Sequence, residues 1–377
     1  MSEASRATDG PYRPHEVQET AATIEAVQQR SGMIPWFEGG HADPWNHVEA
    51  AMALTATGRR AAAERAYEWL RATQRGDGAW HAYYGPTGVV EEPRLDTNVT
   101  AYVAAGVLHH HVATTDRGFL EEMWPVVEAA TEFALRWQRP GGELTWAVDP
   151  GGEPGGFALL AASSSACTSI AAALRCAAEL GLERPRWRDG LERLTRAVAS
   201  RPWSFASRSE YAMDWYYPVL CGAVRGHAAE ARMSSGWPRF VVAGHGVRCR
   251  SDGEWVTTAE TAECAIALAR LGRGTDAADL LAWTRAHRQL DGSFATGLVR
   301  PGLVEFPARE RTTYSAAAVL LAADVLGGGP GSVAVLGSGH PAPLSSGHAA
   351  LGSGHVATPP RYDPRGVPTG DAAIAGG

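Results

Sequence analysis

The sequence predicts an all-α fold, a toroid of about six helical hairpins, and three observations support this prediction. Amphipathic segments with one charged face alternate with Ala-rich segments that carry almost no charge. A helix that is apolar all round is a buried helix, so the alternation indicates an outer ring of helices around an inner ring. The hairpins recur loosely at roughly 50 residues, a period typical of stacked helical units. The links between segments also alternate between short and long.

Two sets of segments make up the predicted rings. One-sided amphipathicity predicts outer helices at 15–31, 59–74, 119–138, 187–200 and 275–289, with a sixth near 226–240 that breaks at Gly236-Trp237-Pro238. The Ala-rich pattern predicts inner helices at 44–57, 96–111, 162–180, 211–225, 257–271 and 311–326. Small side chains let the inner helices pack closely, since interaxial distance depends on the side chains at the contact.

The long links all lead from an outer to an inner segment. They cover about 75–95, 139–160, 241–256 and 290–310, whereas inner-to-outer turns are as short as Gly58. Ordinary helix–helix loops run to about 2–8 residues. Long loops gathered on one rim predict that binding and catalysis take place there.

The predicted domain boundaries follow composition. Residues 1–12 are interpreted as a flexible N-terminus and 13–327 as the toroid domain. From 328 to 377 the chain becomes a Gly/Ser/Pro/His-rich segment with near-repeats such as LGSGH, ending at His340 and again at His355. Such a segment buries too little apolar surface to offset its ordering entropy, so it is predicted to be a disordered tail.

Charge and apolar patterning restrict the partners. The formal net charge of -7 argues against nucleic-acid binding, which normally requires a basic surface. The N-terminus lacks an apolar signal region, and no apolar run approaches the ~20 residues of a membrane span. We therefore expect a cytoplasmic protein with no transmembrane segment that takes a small-molecule substrate, isoprenoid or sugar. The oligomeric state stays open.

The cysteine pattern predicts no metal cofactor. The five cysteines, Cys167, Cys176, Cys221, Cys249 and Cys264, contain no CxxC pair. Zinc sites need closely spaced ligands, so the spacing supports neither a zinc nor a magnesium site. We expect buried free thiols and no cofactor.

Three outer helices end in a similar signature. The stretches are Gln74-Arg-Gly-Asp-Gly-Ala-Trp80, Gln138-Arg-Pro-Gly-Gly-Glu-Leu-Thr-Trp146 and Gln289-Leu-Asp-Gly-Ser-Phe294. The glutamine can bond helix-end carbonyls, the glycine supplies a left-handed C-terminal turn, and the aromatic ring packs between hairpins. The signature is therefore interpreted as structural.

Gln-x-x-x-Gly-x-Trp resembles the QW repeat of the squalene and terpenoid cyclase/protein prenyltransferase superfamily, over about 15–327. The segments FALLAASSSACTSI, AMDWYYPVL, GVRCRSDGEWVTTAETAEC and ERTTYSAAAVLLAADVL are similar to actinobacterial proteins labelled prenyltransferases. The resemblance implies an (α/α)6 toroid with a central cavity. The protonating Asp-x-Asp-Asp motif and the zinc-binding Asp-x-Cys pattern of that superfamily are absent. Separately, the hairpin at 96–135 is similar to those of glucoamylase-type (α/α)6 glycosidases.

Acidic side chains gather where the inner helices begin, on the long-loop rim. The predicted catalytic residues are Asp43, Asp96, Asp214, Glu260 and Glu263. Asp43 and Asp96 also fit N-caps. Asp214 lies in an apolar helix, where an unpaired carboxylate is costly, so pairing with an arginine such as Arg311 is the structural alternative. Glu260 and Glu263 share a helix face, and two confined like charges raise one pKa, which suits general acid chemistry.

Aromatic and polar residues near these acids are the predicted substrate-binding set: Trp45, Asn46, Trp80, Tyr84, Asn98, Trp215, Tyr216, Trp255, Arg311 and Tyr314. Aromatic faces stabilise carbocations, as isoprenoid chemistry requires. Aromatic faces also stack on sugar rings, and two carboxylates about 5–10 Å apart hydrolyse glycosidic bonds.

The resemblance favours a prenyltransferase or terpenoid cyclase-like transferase that acts on or binds an isoprenoid in an acidic aromatic pocket. The alternative is a carbohydrate-active (α/α)6 enzyme, similar to a glycoside hydrolase, that uses a carboxylate pair. A second alternative is a non-catalytic binding scaffold.

Overall fold

The computed structural model describes residues 10–337, and its helices follow the predicted alternation. The helices are α1 (Pro14–Val27), α2 (Pro44–Ala56), α3 (Arg60–Thr73), α4 (Thr97–Ala101), α5 (Val103–Thr114), α6 (Arg117–Arg136), α7 (Leu160–Glu179), α8 (Pro185–Ser200), α9 (Ala212–Leu220), α10 (Gly226–Phe240), α11 (Thr258–Arg270), α12 (Gly274–Trp283), α13 (Thr313–Leu326) and α14 (Pro330–Val335).

The inner ring consists of α2, α4 with α5, α7, α9, α11 and α13. Each inner helix contacts the next, and α13 contacts α2, so the ring closes. The helices α1, α3, α6, α8, α10 and α12 pack outside it. Almost every side chain of α2 and α13 is buried, which is why these segments read as apolar on all sides. The predicted (α/α)6 toroid is confirmed.

The first helix, α1, packs beside the turn after α12 and so joins the first and last outer helices of the ring. Arg285 forms an ion pair with Glu16, and the Thr20 hydroxyl donates to the Gly292 carbonyl at 2.8 Å. The hydroxyls of Tyr12 and Thr284 lie 2.6 Å apart, and Tyr12 is buried. The segment predicted to be a flexible N-terminus therefore has a packed residue at its end.

The glutamine signature joins neighbouring outer helices. The Gln74 amide donates to the Gly78 carbonyl of its own turn at 2.9 Å and to the Val126 carbonyl on α6 at 3.0 Å. Gly78 has φ +94°, and a Cβ there would lie 2.3 Å from the Ala129 carbonyl oxygen, so the turn docks directly on α6. Gln138 makes the equivalent pair of bonds, at 2.8 Å each, onto its own turn and α8.

The structure contains one copy of the glutamine signature that the sequence did not predict. In one of the three predicted copies, the residue in the glutamine position is one place earlier than expected. Gln28 donates to the carbonyls of Gly32 and of Ala62 on α3. Trp36 follows Gln28 by eight residues, the same spacing that separates Gln138 from Trp146. In the last copy Arg288 occupies the glutamine position and pairs with Glu19 on α1 at 2.6 Å. Gln289, expected in this role, stands one residue later and donates to the His287 carbonyl instead.

Short strands occupy the long loops, which the all-α prediction did not include. They are β1 (Tyr83–Tyr84), β2 (Val90–Glu92), β3 (Leu95–Asp96), β4 (Ala147–Val148), β5 (Val241–Val242), β6 (Gly246–Arg248), β7 (Trp255–Thr257), β8 (Gly297–Val299) and β9 (Val304–Glu305). The last five form one antiparallel sheet in chain order. Strands of two or three residues are too short to show an alternating apolar pattern.

The helix α10 is continuous where the sequence predicted a break at Gly236-Trp237-Pro238. Pro238 falls in its last turn. Gly236 provides a close approach between helices, because a Cβ there would lie 2.2 Å from the Trp215 indole nitrogen. The apparent helix breaker is therefore a packing position.

A further helix, α14, lies inside the segment predicted to be tail. It packs on α2, α5 and α13 at the short-turn end of the barrel. Arg175 donates to the Ala334 carbonyl at 2.7 Å, and Arg270 donates to the Leu336 carbonyl at 3.2 Å. The packed chain thus passes the predicted boundary at residue 327, and the repeats ending at His340 and His355 lie outside the described residues. None of the described helices is long and apolar enough to cross a membrane.

Candidate active site

Asp43 is the N-cap of α2 and is buried at the start of the inner ring. Its Oδ1 accepts the Asn46 backbone N–H at 3.0 Å, and its Oδ2 accepts the Trp36 indole N–H at 2.6 Å and the Asn46 side-chain amide at 2.7 Å. Burial raises the pKa of Asp43, and these N–H donors oppose that rise. Both oxygens accept N–H hydrogen bonds, which stabilise the ionised carboxylate and so limit the rise in pKa that burial causes.

Glu260 lies in the first turn of α11 and is also buried. It lies beside the Cys249 and Thr257 side chains, and no arginine pairs with it within residues 10–337. Burial raises the pKa of Glu260, so its surroundings favour the protonated acid. Asp43 and Glu260 thus differ in the donors that surround them.

Tyr314, in the first turn of α13, lies near both acids. Its helix packs between α2 and α11. Burial and the nearby charges of Glu260 and Asp43 raise the pKa of the Tyr314 phenol. The Trp36 ring packs edge-on against Tyr314, with centroids 5.1 Å apart, and against Tyr83 at 5.8 Å. Asp43 and Glu260 therefore both lie near Tyr314 at the long-loop rim, beside the rings of Trp36 and Tyr83. We call this region the mouth.

Asp96 lies at the same mouth as the N-cap of α4. Its Oδ1 accepts the backbone N–H groups of Asn98 and Val99 at 2.9 and 3.1 Å. Burial raises the pKa of Asp96 to about 6. Both Asp96 and Asp43 raise the pKa of Tyr83, so that ring lies near both acids. The Asn98 Oδ1 is buried and has no hydrogen-bond partner among the described residues.

A second pair of acids lies deeper, in what we call the deep chamber. Glu49 Oε1 accepts the Trp45 indole N–H at 2.8 Å and the Tyr102 hydroxyl at 3.3 Å. Glu263 accepts hydroxyl hydrogen bonds from Tyr216 and Tyr217, the latter at 2.6 Å. The cavity that Glu49 and Glu263 line measures about 20 Å³, enough for about one water and far too little for a sugar ring.

The pKa values of the deep acids are raised. Burial raises the pKa of Glu49 to about 7. Burial and the charge of Glu49 raise the pKa of Glu263 well above its usual range. Although Glu260 and Glu263 stand three residues apart as predicted, they have different surroundings, and only Glu260 lies beside Tyr314 at the mouth.

Asp214 does not join either group of acids. Its Oδ1 accepts the Ala161 backbone N–H at 3.2 Å, and Arg232 donates to its backbone carbonyl at 2.6 Å rather than to its carboxylate. Burial raises the pKa of Asp214 to about 7. The suggested partner is wrong, because Arg311 pairs with Glu305 at 3.4 Å on the rim.

Three aromatic residues predicted to bind substrate make contacts that support the fold. The Trp80 indole is buried and donates to the Leu70 carbonyl at 3.0 Å. The Tyr84 hydroxyl accepts the His81 backbone N–H at 3.1 Å. Trp215 stacks on Phe240 and donates to the Arg232 carbonyl at 2.9 Å, at the contact with α10. These side chains pack between helices because their apolar surface is large and their polar atoms find backbone partners.

The other predicted binding residues divide between the mouth and the interior. Asn46 and Tyr314 lie at the mouth, whereas Trp45 and Tyr216 hold the deep acids. Trp255 belongs to the rim sheet, where its indole donates to the Phe306 carbonyl at 3.0 Å. Trp36, Tyr102 and Tyr217 were not in the predicted set. A tyrosine inside an apolar helix signals a buried hydroxyl that requires a partner.

The sequence has a close relative among known proteins. It is 46% identical over 319 residues to the MMP endo-(1,4)-3-O-methyl-alpha-D-mannosidase of Mycolicibacterium hassiacum, covering 84% of this chain and 88% of that protein. The chain belongs to the family of this mannosidase. No family model matches the sequence. The predicted membership in the terpenoid cyclase/prenyltransferase superfamily is therefore wrong, and so is the transferase interpretation.

Two solved structures share the (α/α)6 fold of this chain. A wild-type glycosidase aligns with a TM-score of 0.67 at 16% identity, covering 83% of this chain and 96% of its own. A D-mannose isomerase aligns with a TM-score of 0.65 at 8% identity, covering 82% of this chain and 96% of its own. The superfamily prediction was wrong because it rested on the QW-like turn. This turn joins outer helices in an (α/α)6 toroid and does not indicate which reaction takes place inside.

Proposed function

We propose that this protein is a glycoside hydrolase that cleaves (1,4)-linked α-mannosidic bonds within chains of 3-O-methylated mannose. The position of Asp43 and Glu260, two buried carboxylates beside Tyr314 at the long-loop rim, carries the proposal. The relative's printed activity supplies the substrate class. The carbohydrate alternative from the sequence thus replaces the isoprenoid interpretation.

The two carboxylates have distinct proposed roles. Glu260, which has a raised pKa and no arginine partner in the described chain, protonates the leaving glycosidic oxygen. Asp43 accepts three N–H hydrogen bonds that stabilise its carboxylate form, and it acts on the opposite side of the anomeric carbon, either as the base that activates a water or as the nucleophile. Trp36 and Asn46 hold Asp43 in place.

The remaining mouth residues would bind the sugar. The Trp36 and Tyr83 rings offer apolar faces for sugar C–H groups and for an O-methyl group. Asp96 and the unpartnered Asn98 Oδ1 can accept sugar hydroxyls. The deep chamber is too small for substrate, so Glu49 and Glu263 are proposed to support the floor of the site rather than touch the sugar.

The test is turnover of a (1,4)-linked 3-O-methyl-α-mannose oligosaccharide by wild type, E260Q and D43N, followed by chromatography of the products. Each variant should lose about 10²–10⁴-fold in kcat, the usual contribution of a positioned acid or base. E68Q serves as control, because Glu68 is exposed and, within residues 10–337, forms an ion pair with Arg71 alone. Melting temperatures confirm folding. Unchanged turnover in folded E260Q would remove Glu260 from the reaction.

A further inference from the structure

A groove lies on the rim outside the mouth, between α9, α10 and the loop after α8. Trp203 stands at its edge with 75% of its surface exposed, and the Asp214 and Arg208 side chains line it. The groove encloses about 580 Å³, within the range of ligand-binding pockets, in contrast to the deep chamber. We propose that this groove is a remote subsite that binds sugar units of the same chain, away from the bond that is cleaved.

The groove contains polar groups with unused hydrogen-bonding capacity. Asp214 accepts one backbone N–H at Oδ1, and Arg232, which lies nearby, donates to backbone carbonyls. The Arg208 guanidinium lies over the Tyr211 ring at 5.6 Å and pairs with no carboxylate among the described residues. An exposed indole face with a carboxylate and a planar guanidinium nearby offers stacking and hydroxyl contacts, the chemistry that recognises a sugar.

A track of partly exposed aromatic side chains joins the mouth to the groove. Trp146 lies beside Asp96, Arg94 stacks over the Trp146 ring at 4.6 Å, and Phe157 stacks on its indole at 5.2 Å. The next residue, Ala158, accepts the Ala206 backbone N–H at 2.9 Å, in the loop that carries Trp203. The rim is thus continuous from Asp96 to Trp203.

The length of the track indicates an extended ligand. Asp96 begins α4 and Asp214 lies in α9, with α7 packed between them. Two interaxial steps correspond to about 16–20 Å, a span that requires several sugar units rather than one. The inference rests on the proposed function, because an enzyme that cuts within a chain must hold sugar units beyond the cleaved bond.

The test compares W203A with wild type on two substrates, a (1,4)-linked 3-O-methyl-α-mannose tetrasaccharide and the corresponding long polysaccharide. We expect the ratio of kcat/KM for the long over the short substrate to fall about tenfold, since truncation of an aromatic anchor commonly has an effect of this size. L182A is the control, because Leu182 is a partly exposed apolar residue at the short-turn end. An unchanged ratio in W203A would overturn the proposal.

A binding experiment separates the subsite from the reaction. The long polysaccharide is titrated into E260Q and into the double variant E260Q/W203A by calorimetry. Weaker binding by the double variant supports the subsite even if wild type cleaves neither substrate, in which case the hydrolase proposal alone fails. Equal affinity of the two variants overturns the subsite, whatever the turnover.

Discussion

Glu49 on α2 and Glu263 on α11 face one water-sized cavity from different inner helices, and aromatic donors hold both carboxyl groups. Trp45 and Tyr102 donate to Glu49, while Tyr216 and Tyr217 donate to Glu263. Burial and the charge of Glu49 disfavour ionisation of Glu263, so the two carboxyl groups do not readily carry a charge at the same time.

Replacing Glu49 by Gln should flatten the pH dependence of stability. The pKa of Glu49 is raised from 4.5 to about 7, so the folded state holds a proton that the unfolded state releases. Its contribution to stability is full below pH 4.5 and is lost as the pH rises through about 7, at about 1.4 kcal/mol per pH unit in between. Urea unfolding of wild type and E49Q at pH 5, 6 and 7 measures the slope. E68Q should keep the wild-type slope, and an identical slope in E49Q would contradict the assignment.

Asp96 and Asp116 are both N-caps, and their Asn variants should shift stability in opposite directions. Burial raises the pKa of Asp96, so its contribution falls as the pH rises through about 6, and D96N should gain in relative stability between pH 4 and pH 8. The Phe119 backbone N–H and Arg60 lower the pKa of Asp116, so D116N should be less stable at pH 7, with the difference vanishing at low pH. Asn caps helices as well as Asp, which preserves the helix starts. Parallel trends in thermal melts across pH would refute this prediction.

Gln74 should contribute more to stability than Gln289. Its amide satisfies two carbonyls on two outer helices, so Q74A should cost about 1–3 kcal/mol. Gln289 makes one local carbonyl bond at 3.1 Å and a long contact to Arg311, so Q289A should change stability by less than about 0.5 kcal/mol. Equilibrium unfolding in urea measures both values. Equal costs would mean that the bond to α6 adds nothing.

Leu336 should behave as a core residue although it lies in the segment predicted to be tail. Its side chain is buried and lines the deep chamber, so L336A should cost about 2–4 kcal/mol. Leu290 is fully exposed, and L290A should be nearly neutral. The difference in urea midpoint between these two variants is the measurement. A neutral L336A would show that α14 does not stabilise the barrel.

Much of the fold was predictable because the local composition of a segment indicates whether its helix belongs to the inner or the outer ring. The Ala-rich segments are buried on every side, and the charged segments expose one face. The end of the toroid was not predictable, since Gly327, Gly328 and Gly329 interrupt the chain before α14 and resemble the start of a linker. The packing that orders α14 comes from residues far away in sequence, such as Arg175 and Arg270.

The site was predictable in part. Asp43, Asp96 and Glu260 begin their inner helices or lie in the first turn, and helix starts on one rim necessarily converge. The sequence does not show how deep in the barrel each acid lies. Glu263 is one helical turn beyond Glu260, yet it accepts hydrogen bonds from two tyrosines on α9. The repeated glutamine turn of the outer helices pointed to another superfamily, because this turn joins neighbouring helices and carries no information about the reaction.

For the proposed reaction, the position of α14 limits how a polymer can reach and leave the barrel. Among residues 10–337, Leu336 lines the deep chamber and α14 packs on α2, α5 and α13, so this part of the chain leaves no exit for a polymer at the short-turn end. In the proposed reaction, the substrate lies across the rim, and both products depart on the side from which the substrate arrived. Entry and exit on one side favour release of the substrate after each cleavage over continuous sliding along the chain. Products should therefore first accumulate as fragments of intermediate length.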